Sequence, residues 1–172
     1  MKLNIKETAD FALLGALMYS TKIIMEVLPN VHLLGVFTVA TTAVYRKKAL
    51  YPIYVYVFIN GFFSGFAMWW IPYLYIWTVL WGAVMLLPKN IPAKVKPIVY
   101  MTVCALHGFL FGTLYAPAQA LLFGLDFKGM VAWIAAGLPW DFVHGVSNFI
   151  CGTLICPIIA VLKRSEKYIT RN

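Results

Sequence analysis

Charged residues are scarce in this sequence. Asp, Glu, Lys and Arg make up 12% of the 172 residues, which is about half of their share in soluble globular proteins. Hydrophobic residues make up 62% of the chain, and the mean hydropathy is +0.82. This composition argues against a soluble domain and predicts an integral membrane protein.

Motifs for metal binding, covalent catalysis and ATP hydrolysis are also missing. The three cysteines form no CxxC pair and no Cys/His spacing, so neither a zinc site nor a disulfide framework is indicated. There is no GxxxxGK[ST] phosphate loop, no HExxH and no GxSxG. We therefore expect no enzyme activity, no cofactor and no metal. The net charge of +8 comes from short clusters between apolar runs, which argues against nucleic-acid binding.

Six apolar runs approach the roughly 20 residues that one membrane span needs. They predict an all-α bundle of six transmembrane helices in a single domain, residues 1–172. The predicted spans are about 9–27, 32–45, 49–68, 72–88, 97–115 and 139–162.

The basic residues predict the orientation of this bundle, because Lys and Arg are retained on the cytoplasmic side. With six spans both termini share one side, and nearly all basic residues fall there. We therefore expect cytoplasmic termini. The residues are Lys2, Lys6, Arg46, Lys47, Lys48, Lys89, Lys94, Lys96, Lys163, Arg164, Lys167 and Arg171.

Residues 117–138 are apolar enough to suggest a seventh span. Gly124, Asp126, Lys128 and Gly129 interrupt the segment near its middle, where charges are costly in a membrane. We therefore expect an interfacial or re-entrant loop on the outer side, with Pro117 and Pro139 near the ends of the flanking spans.

The stretch WDFVHGVSN places Asp141, His144 and Asn148 within about 60° of one another on a helix. Polar groups in a membrane span are expensive and normally mark a site or a pairing. Two structural alternatives stay open. Asp141 can be a first-turn acid stabilised by a helix N-terminus after Pro139, and His144 and Asn148 can form interhelical hydrogen bonds without a ligand.

Most further polar and aromatic residues fall in the same outer half of the predicted bundle, with Asn60 and His107 nearer to mid-membrane. Together they predict an outward-facing pocket with aromatic walls. The aromatics can equally form an interfacial belt, and Lys22 can simply pair with Glu26. The candidate binding residues beyond helix 6 are Glu26, His32, Asn60, Trp69, Trp70, Tyr73, Trp77 and His107.

Small residues recur at a spacing of four, which lets helices approach closely. For Gly61/Gly65 and Gly108/Gly112 we expect packing within the bundle. Ala12 and Ala16 lie in the first helix and can instead face a partner.

These features give the chain a resemblance to the S components, the substrate-binding membrane subunits of energy-coupling factor (ECF) vitamin transporters. The resemblance covers six spans, cytoplasmic termini and the Ala12/Ala16 motif. The closing helix, LPWDFVHGVSNFICGTLICPIIAVLKR, is similar to the Asp-x-x-His-x-x-x-Asn ending of several such subunits.

The resemblance implies a multi-pass protein of the prokaryotic plasma membrane that captures a vitamin or vitamin precursor with high affinity. Such a subunit docks through helix 1, here Ala12 and Ala16, onto a transmembrane coupling protein. Two cytoplasmic ATPases supply the energy, consistent with the missing phosphate loop in this chain.

The pocket composition indicates the kind of substrate. An anionic ligand normally meets Arg or Lys, and the outer half offers only Lys22 and Lys128. We expect a small, neutral or weakly basic aromatic heterocycle, such as a pyridine or benzimidazole vitamin precursor, held by Asp141, His144 and Asn148. The competing classes are a proton-coupled secondary transporter using Asp141 and His144, an intramembrane enzyme and a structural subunit.

Overall fold

The computed structural model describes residues 3–170, and for residues 168–170 only the backbone. Lys2 and Arg171, which contribute to the predicted cytoplasmic charge, lie outside the described residues. The described part of the chain contains α-helices, short 3-10 turns and no strand, so the predicted all-helical class is confirmed. The helices are α1 (Ile5–Met25), α2 (Leu34–Tyr45), α3 (Leu50–Ser64), α4 (Tyr73–Leu86), α5 (Lys96–Phe109), α6 (Phe111–Phe123), α7 (Phe127–Cys151) and α8 (Ile155–Thr170).

Three helical stretches are long and apolar enough to cross a membrane. They are Met68–Leu86, Lys96–Phe123 and Phe127–Lys167, with lengths of 19, 28 and 41 residues. The second joins α5 to α6, and the third joins α7 to α8 through a 3-10 turn at Gly152–Leu154. Composition and length therefore support membrane insertion for these stretches.

The segment 117–138 differs from its prediction. It is helical except at Gly124–Asp126, where α6 ends and α7 begins. Gly124 has a φ of +67°, which closes α6, and the Asp126 side chain caps α7 by accepting the Gly129 N–H at 2.7 Å. Gly124 and Asp126, which we expected to interrupt the apolar run within a loop, therefore form a tight turn between two helices.

Both prolines expected at span ends lie inside helices. Pro117 is within α6, and Pro139 is within α7. Asp141 is consequently in the middle of a 25-residue helix rather than in its first turn. The boundary at Pro139 was wrong because helix α7 continues through the proline, at the cost of one backbone hydrogen bond.

Glycines set the closest helix contacts. A Cβ at Gly108 would lie 2.9 Å from the backbone of Gly145, so α5 and α7 touch along their main chains. A Cβ at Gly15 would lie 2.4 Å from Val55, where α1 meets α3. Gly65 does not pack against a helix; it has a φ of +89° and ends α3.

Helix α2 lies in the centre of the bundle. Its residues Leu34–Thr42 are all buried, and it packs against α4, α5 and α8. Val36, Val39 and Leu80 belong to the apolar cluster that joins these helices. A central helix touches protein on all sides, which explains why α2 carries no charged residue and why even its threonines, Thr38, Thr41 and Thr42, are buried.

Polar contacts join the start of α1 to the turn between α2 and α3 and to α8. Lys48 forms an ion pair with Glu7 at the start of α1 and lowers the pKa of the Glu7 carboxyl through their hydrogen bond. The Ser165 hydroxyl lies 3.0 Å from Asp10 Oδ2, so the start of α1 and α8 meet at the same end of the bundle.

Candidate functional site

A cavity of about 190 Å³ lies at the far end of α1, opposite the Glu7–Lys48 pair. The loop between α1 and α2, residues 26–33, supplies much of its lining and is named the roof loop. The cavity is lined by Lys22, Met25, Glu26, Leu28, Pro29, Asn30, Val31, His32, Tyr73, Phe111 and His144. It is slightly larger than an apolar cavity of about 150 Å³ that holds benzene, so a ligand with one ring or two small fused rings fits its size.

The roof loop is fixed to α7. Ser147 Oγ lies 2.9 Å from the carbonyl oxygen of Asn30 and 2.9 Å from that of His144, and its single proton can serve either acceptor. Asn30 has a φ of +59°, a left-handed conformation that asparagine tolerates better than most residues. The His32 and His144 rings meet edge to face at 4.7 Å. The roof loop is thus held against α7 by one hydrogen bond, from Ser147, and one ring contact, between His32 and His144.

Aromatic rings form a continuous wall behind the cavity. Trp77 lies 5.6 Å from His107, 6.1 Å from His32 and 6.0 Å from Phe111, measured between ring centroids. Phe111 lies 4.9 Å from His144, and Tyr73 lies 6.0 Å from Trp77. Rings at such distances and angles stabilise each other and offer faces and edges to a bound ring.

Several buried polar atoms of this wall lack a hydrogen-bond partner in the described part of the protein. They are His32 Nδ1, Tyr56 Oη, Trp77 Nε1, His107 Nδ1 and His144 Nε2. Buried polar groups are normally paired, and each unpaired one costs free energy. Two of these atoms, His32 Nδ1 and His144 Nε2, belong to residues that line the cavity, so a polar ligand there has two buried groups to pair with.

The tautomer of His107 follows from its contact. His107 Nε2 lies 3.1 Å from the carbonyl oxygen of Ile76. Because a carbonyl only accepts, Nε2 carries the proton, and the neutral ring offers Nδ1 as an acceptor.

The three histidines do not form a group that could hold a metal ion, and neither does any other set of the described His, Cys, Asp and Glu residues.

Charges at the mouth of the cavity cancel. Lys22 Nζ lies 3.5 Å from Glu26 Oε1, one turn further along α1. The pairing alternative for these two residues is therefore correct, although both also line the cavity. The paired mouth favours a ligand without a strong net charge.

The structure places four predicted residues on the cavity: Glu26, His32, Tyr73 and His144. Trp77 and His107 stand directly behind them. Phe111, Asn30 and Ser147 were missed. A phenylalanine in an apolar run and an asparagine in a loop carry no distinctive pattern, and Ser147 lies off the face of α7 that carries Asp141, His144 and Asn148.

The other predicted residues do not line this cavity. Asn148 Nδ2 donates to the carbonyl of Cys104 at 3.3 Å, which is the interhelical hydrogen bond that its alternative describes. Asp141 accepts the backbone N–H of Gly112 on another helix, which neither of its two interpretations predicted. Trp70 Nε1 donates to the carbonyl of Val57, and Trp69 packs on Tyr73. Asn60 is buried in α3, and its amide has no hydrogen-bond partner among the described residues.

Acid is expected to weaken the closed roof loop through His32, which precedes α2. Burial, with the positive influence of His107 and Lys22, lowers the pKa of His32 from 6.5 to about 4. The folded protein therefore favours the neutral His32 ring. The contribution of His32 to the free energy of unfolding is complete above pH 6.5 and is lost as the pH falls towards 4. From pH 7.5 to 5.0 the expected loss of folding free energy is about 2 kcal/mol.

Thermal unfolding across this pH range measures the effect, with His32→Gln as the matched variant. The glutamine variant is expected to show a smaller loss of stability between pH 7.5 and 5.0. An equal loss in both proteins would mean that His32 does not contribute to it.

Comparisons with protein-family models, with curated proteins and with solved structures found no match to this chain.

Proposed function

We propose that this protein is the substrate-capture subunit of an ECF-type transporter, in the plasma membrane of a prokaryote. It binds a small vitamin or vitamin precursor, and partner ATPases drive transport. The observation that carries the proposal is the cavity beneath the roof loop, where His32 and His144 meet against an aromatic wall with unpartnered polar atoms. Small-molecule sites combine apolar walls with a few placed polar groups in this way.

In this proposal the chain crosses the membrane six times. The passes are α1, α2, α3, α4, α5 with α6, and α7 with α8. The contact of Asp10 with Ser165 joins the start of α1 to α8, and the contact of Glu7 with Lys48 joins it to the turn between α2 and α3. Both contacts are compatible with six passes that leave the two termini and the basic loops on one side. That side is cytoplasmic by the positive-inside rule. The cavity then faces outward, and the turn at Gly124–Asp126 lies at the outer interface.

The ligand is a neutral or weakly basic aromatic heterocycle. The cavity size admits one ring or two small fused rings, and the Lys22–Glu26 pair supplies no net charge. Tyr73 and Phe111 provide stacking surfaces, while His32 and His144 provide hydrogen bonds. Pyridine and benzimidazole precursors have this size and chemistry.

A thermal-shift screen of the purified protein in detergent tests the binding proposal. Water-soluble vitamins and their precursors, benzimidazole included, form the panel. A ligand at one thousand times its dissociation constant is expected to stabilise the protein by about 4 kcal/mol. A neutral heterocycle that raises the melting temperature supports the proposal; preference for an acidic vitamin would contradict the ligand class, and no hit across the panel would contradict small-molecule capture.

Helix α1 provides the docking surface for the coupling protein. Its buried face carries Phe11, Gly15 and Met18, whereas Ala12 and Ala16 are exposed. A strip of alanines lets a second helix approach closely. This placement supports a partner on the exposed side of α1.

Bulky residues at this strip are expected to separate binding from transport. The double variant Ala12→Leu/Ala16→Leu is expected to keep its ligand affinity within about threefold and to lose about tenfold or more of uptake in cells that supply the coupling module. Ala136→Leu, at an exposed alanine of α7, is the matched control and is expected to transport normally. Unchanged uptake in the double variant would place the partner elsewhere.

The competing proton-coupled transporter predicts a different result. Uptake would then continue in cells without a coupling module and would depend on the proton gradient. In the structure both Asp141 oxygens face the Gly112 N–H, and a protonated carboxyl can still accept this bond through one oxygen, so the uptake experiment decides between the two classes.

A further inference from the structure

The rod formed by α5 and α6 is interrupted at Leu110. Helix α5 ends at Phe109, α6 begins at Phe111, and Leu110 between them has φ −99° and ψ 4°. The first N–H groups of a helix have no acceptor within the helix. A break inside an apolar bundle therefore creates donors that need a partner.

Asp141 supplies this partner from α7. Its two carboxylate oxygens lie 2.9 and 3.1 Å from the backbone nitrogen of Gly112. Asp141 is 6% exposed, and a negative carboxylate is stabilised by the positive N-terminal end of the α6 helix dipole. The residue thus caps a helix other than its own.

The fit around Gly112 is close. A Cβ at this position would lie 2.4 Å from Asp141 Oδ2. Only a glycine lets the carboxylate approach the start of α6, so the contact fixes how α6 sits against α7. The Gly108-x-x-x-Gly112 spacing therefore serves two contacts, Gly108 with the α7 backbone and Gly112 with a side chain.

The residue before Gly112 is the cavity-lining Phe111. Its ring lies 4.9 Å from His144, 6.0 Å from Trp77 and 6.0 Å from His107. Because Phe111 is the first residue of α6, the contact that fixes the start of α6 also fixes where this ring points.

We propose that Asp141 is a positioning residue for ligand binding: it holds the start of α6 and thereby aims Phe111 into the cavity, without itself touching the ligand. The inference rests on the proposed capture function. It assigns Asp141 a role through a neighbouring backbone amide in place of direct contact with the substrate.

A ligand-free double-mutant cycle tests the positioning. Melting temperatures are measured for wild type, Asp141→Ala, Phe111→Leu and the double variant. If Asp141 acts through Phe111, the two single variants disturb the same contacts. The melting temperature of the double variant then falls by at least about 2 °C less than the sum of the two single decreases. Additive losses would overturn the proposal. Should Asp141→Ala not fold, Gly112→Ala displaces the carboxylate more mildly and takes its place in the cycle.

Benzimidazole binding at pH 7.5 provides the second readout. Asp141→Ala is expected to weaken binding about tenfold, and Asp141→Asn, which keeps an acceptor oxygen for Gly112, is expected to stay within about threefold of wild type. The matched control is Asp126→Ala, which removes an exposed Asp–Gly cap of the same kind and is expected to bind normally. Equal losses in the Ala and Asn variants would overturn the proposal, because they would indicate that the charge of Asp141 is needed.

The two proposals fail in different ways. If wild type binds neither benzimidazole nor any vitamin of the panel, the capture function fails, while the ligand-free cycle still decides whether Asp141 positions Phe111. If wild type binds and the cycle is additive, capture stands and the role of Asp141 is refuted.

Discussion

Replacement of His144 by alanine is expected to weaken ligand binding about a hundredfold. His144 is 2% exposed, lines the cavity, and touches both the roof loop through His32 and the wall through Phe111. The variant loses one hydrogen bond and one ring contact to a ligand, together about 3 kcal/mol, which corresponds to roughly a hundredfold in the dissociation constant. It also loses the ring that holds His32.

Titration of the strongest ligand from the screen, with benzimidazole as the fixed probe, measures this loss. Ile150→Ala is the matched control, because Ile150 lies on the same helix and is 63% exposed. It is expected to leave the affinity unchanged. Binding by His144→Ala within about threefold of wild type would contradict the assignment of the cavity.

Replacement of Gly108 by valine is expected to destabilise the bundle more than the same replacement at a glycine whose added Cβ would meet no atom within 4 Å. The first added carbon would meet the Gly145 backbone at 2.9 Å, and backbone cannot move aside as a flexible side chain can. Overpacking of this kind costs about 3 kcal/mol, which is roughly 6–12 °C in melting temperature for a protein of this size.

Gly82→Val is the control for this prediction. Gly82 lies in α4, and a Cβ there would meet nothing within 4 Å. Thermal unfolding is expected to show only the small change that follows from helix propensity. Similar melting temperatures for the two variants would mean that α5 and α7 are not in backbone contact.

The helical class could be predicted from the sequence because apolar runs of spanning length leave few other solutions. Helix ends were harder to predict. Pro139 was interpreted as a helix start, yet α7 begins at Phe127 with the Asp126 cap. The proline removes one hydrogen bond without ending the helix, whereas the Asp126 side chain satisfies one of the orphan N–H donors at the position where α7 begins.

The site could be predicted in part. His32 and His144 stood out because polar residues are rare in this chain, and both line the cavity. Asp141 also stood out, but the interpretation that it lies in the first turn of its own helix was wrong, because its carboxylate contacts the N-terminus of another helix. That terminus belongs to α6, 29 residues earlier in the chain, and a pairing at this separation depends on tertiary packing. Phe111 gave no signal among 12 phenylalanines, because its role comes from the break at Leu110.

Native mass spectrometry of the protein, released from detergent after incubation with the vitamin panel, shows whether a small molecule is captured in the cavity. We expect one bound molecule per chain, a neutral heterocycle of one or two rings, which is lost in His144→Ala and retained in Ile150→Ala. Wild-type protein without any bound molecule, or a molecule retained equally by His144→Ala, would contradict capture beneath the roof loop.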